Sequence, residues 1–138
     1  MRVTHSTVFM ILLASLLTTL SLSAHALDKE PFTQARFESL QEQGEVILVD
    51  VYASWCPTCA KQQEILTTYQ ENNPEKSFHV LVVDFDKDKD IVRQFRAPRQ
   101  STLLLYKGKE QFWFSVAETR KDIIAAELDK AIAFERKQ

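Results

Sequence analysis
Two apolar runs constrain this chain more than any other feature. Val46-Ile47-Leu48-Val49 contains no polar residue, and Phe78 to Phe85 (FHVLVVDF) has few. Alternation would mark a strand with one wet face, whereas a continuous β-branched run marks a strand covered on both. Each run therefore calls for a place inside a sheet with helices above and below. Between them, Cys59 to Asn72 has helical spacing, with Ile65, Leu66 and Tyr69 on one side, and Pro74 ends it. Strands joined through a helix pair in parallel.

The other segments fit around this unit. Pro31 to Gln43 predicts a helix with Phe32, Phe37 and Leu40 on one face, stopped by Gly44. The first run continues through Asp50-Val51-Tyr52. Asp88 to Phe95 predicts a short helix with Ile91, Val92 and Phe95 as its apolar side. Thr102 to Tyr106 and Gln111 to Val116 predict strands around the hairpin turn Lys107-Gly108-Lys109. Alternation in Phe112-Trp113-Phe114 sets Trp113 opposite to its two neighbours. Thr119 to Arg136 predicts the last helix, buried through Ile124, Leu128, Ala131 and Ile132, with Thr119 and Asp122 at capping-box spacing. The order α-β-α-β-α-β-β-α describes an α/β domain: a small mixed four- or five-stranded sheet with helices on both faces.

The first 26 residues read differently. Arg2 stands without an acid, Val8 to Leu22 gives about 15 uncharged, mostly apolar residues, and Ala24-His25-Ala26 follows, the pattern of a secretory signal peptide. A spanning helix needs about 20 apolar residues, so cleavage after Ala26 is expected over an uncleaved anchor. The domain is then residues 27–138, exported to a periplasm or secreted. Seventeen basic and nineteen acidic side chains leave no global positive field for nucleic acid. At 45% hydrophobic residues the chain is not of a disordered class, and two cysteines are too few for a disulfide-stapled mini-protein.

The chemistry concentrates at Trp55-Cys56-Pro57-Thr58-Cys59, where the first strand meets the following helix. Free backbone N–H groups and the helix dipole stabilise an anion there. A thiolate in that position has a lowered pKa, and the thiolate is the nucleophile. Cys59, one turn later, can reach back to Cys56. This spacing beside a βαβ pattern reads as a redox pair: Cys56 attacks a partner sulfur and Cys59 resolves the mixed disulfide. Two plainer readings stand beside it. An inert structural disulfide across so short a loop gains little chain entropy. Half a metal site would want more ligands than the domain's single histidine, His79, which falls in a buried strand.

The stretch Val49 to Lys61 (VDVYASWCPTCAK) resembles the active-site segment of thioredoxin-fold proteins, and Ser101 to Lys109 (STLLLYKGK) resembles their substrate-side loop and hairpin. The resemblance implies a thioredoxin-like fold and a protein-disulfide oxidoreductase that exchanges Cys56–Cys59 dithiol and disulfide with protein partners. It implies no separate cofactor and no metal ligand set. A membrane electron donor or an oxidant protein would renew the pair. Cys56 would be the exposed nucleophile and Cys59 the buried resolving thiol. Asp50 would be the buried carboxylate that moves the proton of Cys59; the plainer reading of Asp50 is a strand-end residue facing solvent. Trp55, Pro57, Thr58, Gln100, Ser101 and Thr102 would form the surface that receives substrate.

The chain departs from that family in several places. Ser101 stands where a cis-proline is usual. A cis bond before a non-proline costs about 2.5–4 kcal/mol, so the Gln100–Ser101 bond is expected to be trans, in a locally rebuilt loop. If the loop is merely a variant of the family's, Ser101→Pro is expected to be tolerated; severe misfolding would show that a trans loop is built into the core. In the family this proline is associated with keeping metals from the thiols, so its loss leaves a metal-binding (copper- or iron-type) chaperone module as an alternative. A thiol oxidase and a non-catalytic adaptor are others. Pro57-Thr58 replaces Gly-Pro, Val82 replaces a lysine near the buried carboxylate, and Ala117 replaces a common glycine. These changes describe a specialised relative. Asp84, Asp86, Asp88 and Asp90 alternate like a calcium loop, but its glycine and glutamate positions hold Lys89 and Phe95. Arg93, Arg96 and Arg99 read as a charged helix face.

Overall fold
The computed structural model describes residue 27 and residues 29–135. The expected leader, residues 1–26, lies outside the described residues. The elements are β1 (Lys29–Pro31), α1 (Gln34–Glu42), β2 (Val46–Tyr52), α2 (Pro57–Asn72), β3 (His79–Asp84), α3 (Lys89–Gln94), β4 (Thr102–Lys107), β5 (Glu110–Val116) and α4 (Lys121–Ala133). The strands make one mixed sheet in the order β1-β3-β2-β4-β5. β2 is central: it runs parallel to β3, with Asp50 opposite Val82, and antiparallel to β4, with Asp50 opposite Leu103.

Every residue from Val46 to Val51 is buried, as a strand covered on both faces requires. Ile47, Val49 and Val51 point to one side, where Phe37 and Leu40 of α1 and Val92 of α3 meet them. Val46 and Leu48 point to the other, against Ile65, Leu66 and Tyr69 of α2 and Ile124, Leu128 and Ala131 of α4. The expected layering is therefore found, with five strands, the larger of the two numbers expected.

Four local expectations are corrected. β1 was not anticipated, because three residues carry no readable period. It lies on the sheet edge, where Pro31 forfeits no ladder bond that a central strand would need. The first helix starts at Gln34 rather than Pro31, since Thr33 caps it through a hydroxyl that accepts the Arg36 N–H at 3.2 Å. No capping box forms on α4. The Glu118 carboxylate instead accepts the N–H groups of Thr119 and Arg120 at 3.0 and 2.9 Å, and the helix runs from Lys121 to Ala133. Finally, Leu105 pairs with Trp113 while Tyr106 pairs with Gln111, which leaves Phe112 as the extra residue of a bulge. The bulge breaks the alternation: Phe112 and Trp113 both pack against the α2/α4 core, and Phe114 is exposed.

Candidate active site
β2 ends at Tyr52, and Ala53 to Cys56 turns the chain into α2. Cys56 is the N-cap of α2, with extended backbone, and Pro57 fills the first helical position, where its missing N–H is no loss. The helix thus begins two residues earlier than the spacing suggested. The Cys59 N–H donates to Cys56 Sγ at 3.1 Å, so an orphan donor of the helix start lies against the sulfur that must carry charge. Cys56 and Cys59 form a disulfide across a Cα–Cα distance of 5.3 Å.

The expectation of an exposed Cys56 is corrected. Only 4% of it is accessible, against 0% for Cys59. The pair packs with Ala53, Tyr52 and Phe85, and this small apolar cluster covers the disulfide. Exposure belongs to its neighbours. Trp55 is 58% exposed, and its indole N–H donates to the Asp86 carboxylate at 2.7 Å. Pro57 is exposed and Thr58 half-buried.

Asp50 does not face solvent: it is wholly buried on the α2/α4 side of β2. Gln63 Nε2 donates to its Oδ2, and its Oδ1 has no protein partner among the described residues. Burial pushes its pKa up to about 7, against the lowering effects of the Gln63 hydrogen bond and the Lys29 charge. Such a carboxyl can take or give a proton near neutral pH. Gln63 lies four residues after Cys59, so the two are neighbours on one side of α2. The carboxyl therefore faces the helical turn that carries the resolving sulfur.

The peptide before Ser101 is trans, as expected. Ser101 is fully buried at φ +61°, its N–H donating to the Val51 carbonyl at 2.8 Å. Its carbonyl accepts the Ala117 N–H at 2.8 Å and Gln62 Nε2 at 3.2 Å. The same Gln62 nitrogen donates to the Glu118 carbonyl at 3.0 Å, tying two loops to α2. Thr102 is buried, its hydroxyl donating to the Arg99 carbonyl at 2.6 Å, and Gln100 is half-buried. The trans loop is built into the core, so the condition for tolerating Ser101→Pro is not met: proline cannot adopt this φ and has no N–H for Val51.

Residue-type reasoning missed Lys29, Gln62, Gln63 and Asp86. Helical spacing from Cys59 could have found Gln62 and Gln63; nothing local marks Lys29. The alternating aspartates build a turn: Asp84 Oδ1 accepts the Asp86 and Lys87 N–H groups, and Asp88 Oδ2 accepts that of Asp84. Arg93 pairs with Asp90. Among the described residues, no group of three or more His, Cys, Asp or Glu side chains is placed to hold a metal. A groove of about 590 Å³ between α2 and α4 is lined by Lys61, Glu64, Thr68, Asn72 and Asp122 and does not include the cysteines.

Residues 28–130 match the thioredoxin family. The chain belongs to that family. It is 33% identical to Thioredoxin-1 of Saccharomyces cerevisiae over 79 residues, covering 56% of this chain and 75% of that one. The crystal structure of Trxlp from Edwardsiella tarda is 37% identical, with a TM-score of 0.68 over 73% of this chain and 98% of that one. Thioredoxin NaTrxh from Nicotiana alata, at 22% identity and a TM-score of 0.65, shares the fold over 80% of this chain and 97% of its own. The protein is thus a thioredoxin-type protein-disulfide oxidoreductase with its Cys56–Cys59 pair at disulfide distance; the family acts on protein disulfides through such a pair.

Proposed function
We propose that this thioredoxin works outside the cytoplasm, in a periplasm or as a secreted protein, and reduces disulfides in other exported proteins. The leader pattern in residues 1–26 supports export. Among the described residues, no helix is long and apolar enough to cross a membrane. The Cys56 thiolate attacks a partner disulfide; a bond forms between Cys56 Sγ and one partner sulfur, and the other leaves as thiolate. Asp50 accepts the proton of Cys59, whose sulfur then attacks Cys56 Sγ and frees the second partner thiolate. Two electrons pass to the partner, and Cys56–Cys59 becomes the disulfide. A dithiol donor, on this reading a membrane electron-donor protein, reverses the sequence. Trp55, held at the surface by Asp86, and Pro57, Thr58 and Gln100 offer surface to an incoming chain; Ser101 and Thr102, expected to join them, are fully buried and instead hold the loop behind it.

One observation carries the reducing direction. Cys56 Sγ accepts from the Cys59 N–H, Pro57 offers no donor, and no histidine stands between the cysteines. An oxidant of this kind is strong because its reduced form is stabilised; so sparse a set of donors leaves the thiolate less stabilised and the pair more reducing. The test is Cys59→Ala in the exporting cell, which should stall mixed disulfides on Cys56 with exported proteins. Alkylation of the wild type should find both thiols mostly free. A resting disulfide would instead establish the thiol oxidase. Stoichiometric metal lost on Cys56→Ala, with no insulin reduction, would establish the metal-binding module.

A further inference from the structure
Three side chains form a line from solvent to the buried carboxyl. Lys29 is exposed on the edge strand β1, and its Nζ donates to Gln63 Oε1 at 2.8 Å. Gln63 Nε2 donates in turn to Asp50 Oδ2. We propose that Lys29 and Gln63 are positioning residues for Asp50: the ammonium fixes which way the amide points, and thereby sets the pH at which Asp50 can take the proton of Cys59. The proposal rests on the role given to Asp50 above.

A glutamine amide offers an oxygen that accepts and a nitrogen that donates, and the two ends exchange by a flip. An ammonium can only donate, so beside Lys29 the oxygen must face outward and the nitrogen must face Asp50. In that orientation the amide favours the ionised carboxylate. Donation into the oxygen also polarises the amide and strengthens its N–H as a donor. Without Lys29 the amide can turn its oxygen to a protonated Asp50, which favours the other state.

No other cation is placed to do this among the described residues. β3 turns Val82 to Asp50 and β4 turns Leu103, both apolar. Val82 stands in register between Asp50 and Pro31 of β1, so a charge from that side must reach over the sheet rather than through it. α4 contributes Ile124 and Leu128 to this face. From α2 come Gln63 and, when reduced, the Cys59 thiol. Lys29 is the charge that lowers the proton affinity of Asp50 against its burial.

The test reads the titration of Asp50 directly, by carboxyl carbon NMR of the purified protein, and separately the pH dependence of mixed-disulfide resolution. Lys29→Met should raise the Asp50 midpoint by roughly half a pH unit and Gln63→Leu by roughly one. Lys29→Arg, which also only donates, should restore the wild-type midpoint. Lys29 is exposed, so its variants keep the fold even if Gln63→Leu does not. If neither Lys29→Met nor Gln63→Leu moves the midpoint by more than about 0.2 unit, the positioning role is overturned. If Asp50→Asn leaves the pH profile of resolution unchanged, the role of Asp50 fails instead, whatever the NMR midpoints show.

Discussion

The same strand presents different chemistry to its two sides. Toward α1 and α3, β2 shows Ile47, Val49 and Val51, and the core there is filled by rings: Phe37 lies 5.6 Å from Phe32, 5.5 Å from Phe95 and 5.2 Å from Tyr106. Toward α2 and α4 it shows Val46, Leu48 and then Asp50, with Gln62 and Gln63 of α2 nearby. Both faces hold apolar cores. Among the described residues, only the second also buries polar atoms without protein partners, Asp50 Oδ1 and Gln62 Oε1. Buried apolar area stabilises in proportion to its size, whereas a buried carboxylate with incomplete partners costs stability. Both faces therefore hold the fold, and the second gives up part of its stability to carry a proton-active group.

The largest effect should come from breaking the first face. Phe37→Ala removes the ring at the centre of the aromatic cluster and should cost about 3–5 kcal/mol in denaturant unfolding. The Asp50 midpoint should stay where it is, because α1 does not touch that carboxyl. A shifted midpoint would show that the faces are coupled.

Substitution on the second face should do the reverse. The folded pKa of Asp50, about 7, lies above its ordinary value of 3.8 because burial penalises the charged form. The native state then binds the extra proton between those values, so this group makes stability fall as pH rises from about 4 to about 7, and flat beyond. The full difference is about 4 kcal/mol. Asp50→Asn should remove that slope and stabilise the protein at pH 8 by up to this amount, while slowing resolution of the mixed disulfide. Unfolding curves at pH 4.5 and pH 8 measure the slope; a slope retained in the variant would mean that another group owns it.

Ser101→Pro should cost about 3 kcal/mol or more in the same assay. It forces φ away from +61° and removes the bond to Val51. Wild-type stability would mean that the loop can rebuild around proline while Gln62 holds its place.

The sequence carried the layered fold because its main elements have readable periods. The uninterrupted run at Val46 required cover on both faces, and the stripes of α2 and α4 supplied one of them. Cys56 and Cys59 were legible because motif spacing is local, whereas Asp50 stood out through the resemblance of its segment to thioredoxin-fold proteins, since strand position alone also allowed it to face solvent. What stayed hidden was non-local. β1 is too short for a pattern, so Lys29 could not be placed beside Gln63, 34 positions away. The bulge at Phe112 and the Glu118 cap depend on which neighbours the fold delivers. The cover over Cys56 comes partly from Phe85, which enters from the end of β3.

The smallest effect concerns Ala117, in the loop between β5 and α4. Its φ is +57°, where a Cβ is crowded by its own backbone at a cost of about 1–2 kcal/mol. Glycine relieves that strain but gives back part of the gain through the freedom it adds to the unfolded chain. Ala117→Gly should therefore stabilise by roughly 0.5–1 kcal/mol. The Ala117 N–H donates to the Ser101 carbonyl, which Gln62 also holds. A relaxed loop that keeps this bond should leave the Asp50 midpoint unmoved and the rate of exchange unchanged. If stability rises but exchange slows, the strain at 117 is part of how the loop beside Ser101 is presented to a partner, and the stabilising and chemical roles meet in this loop rather than dividing at the sheet.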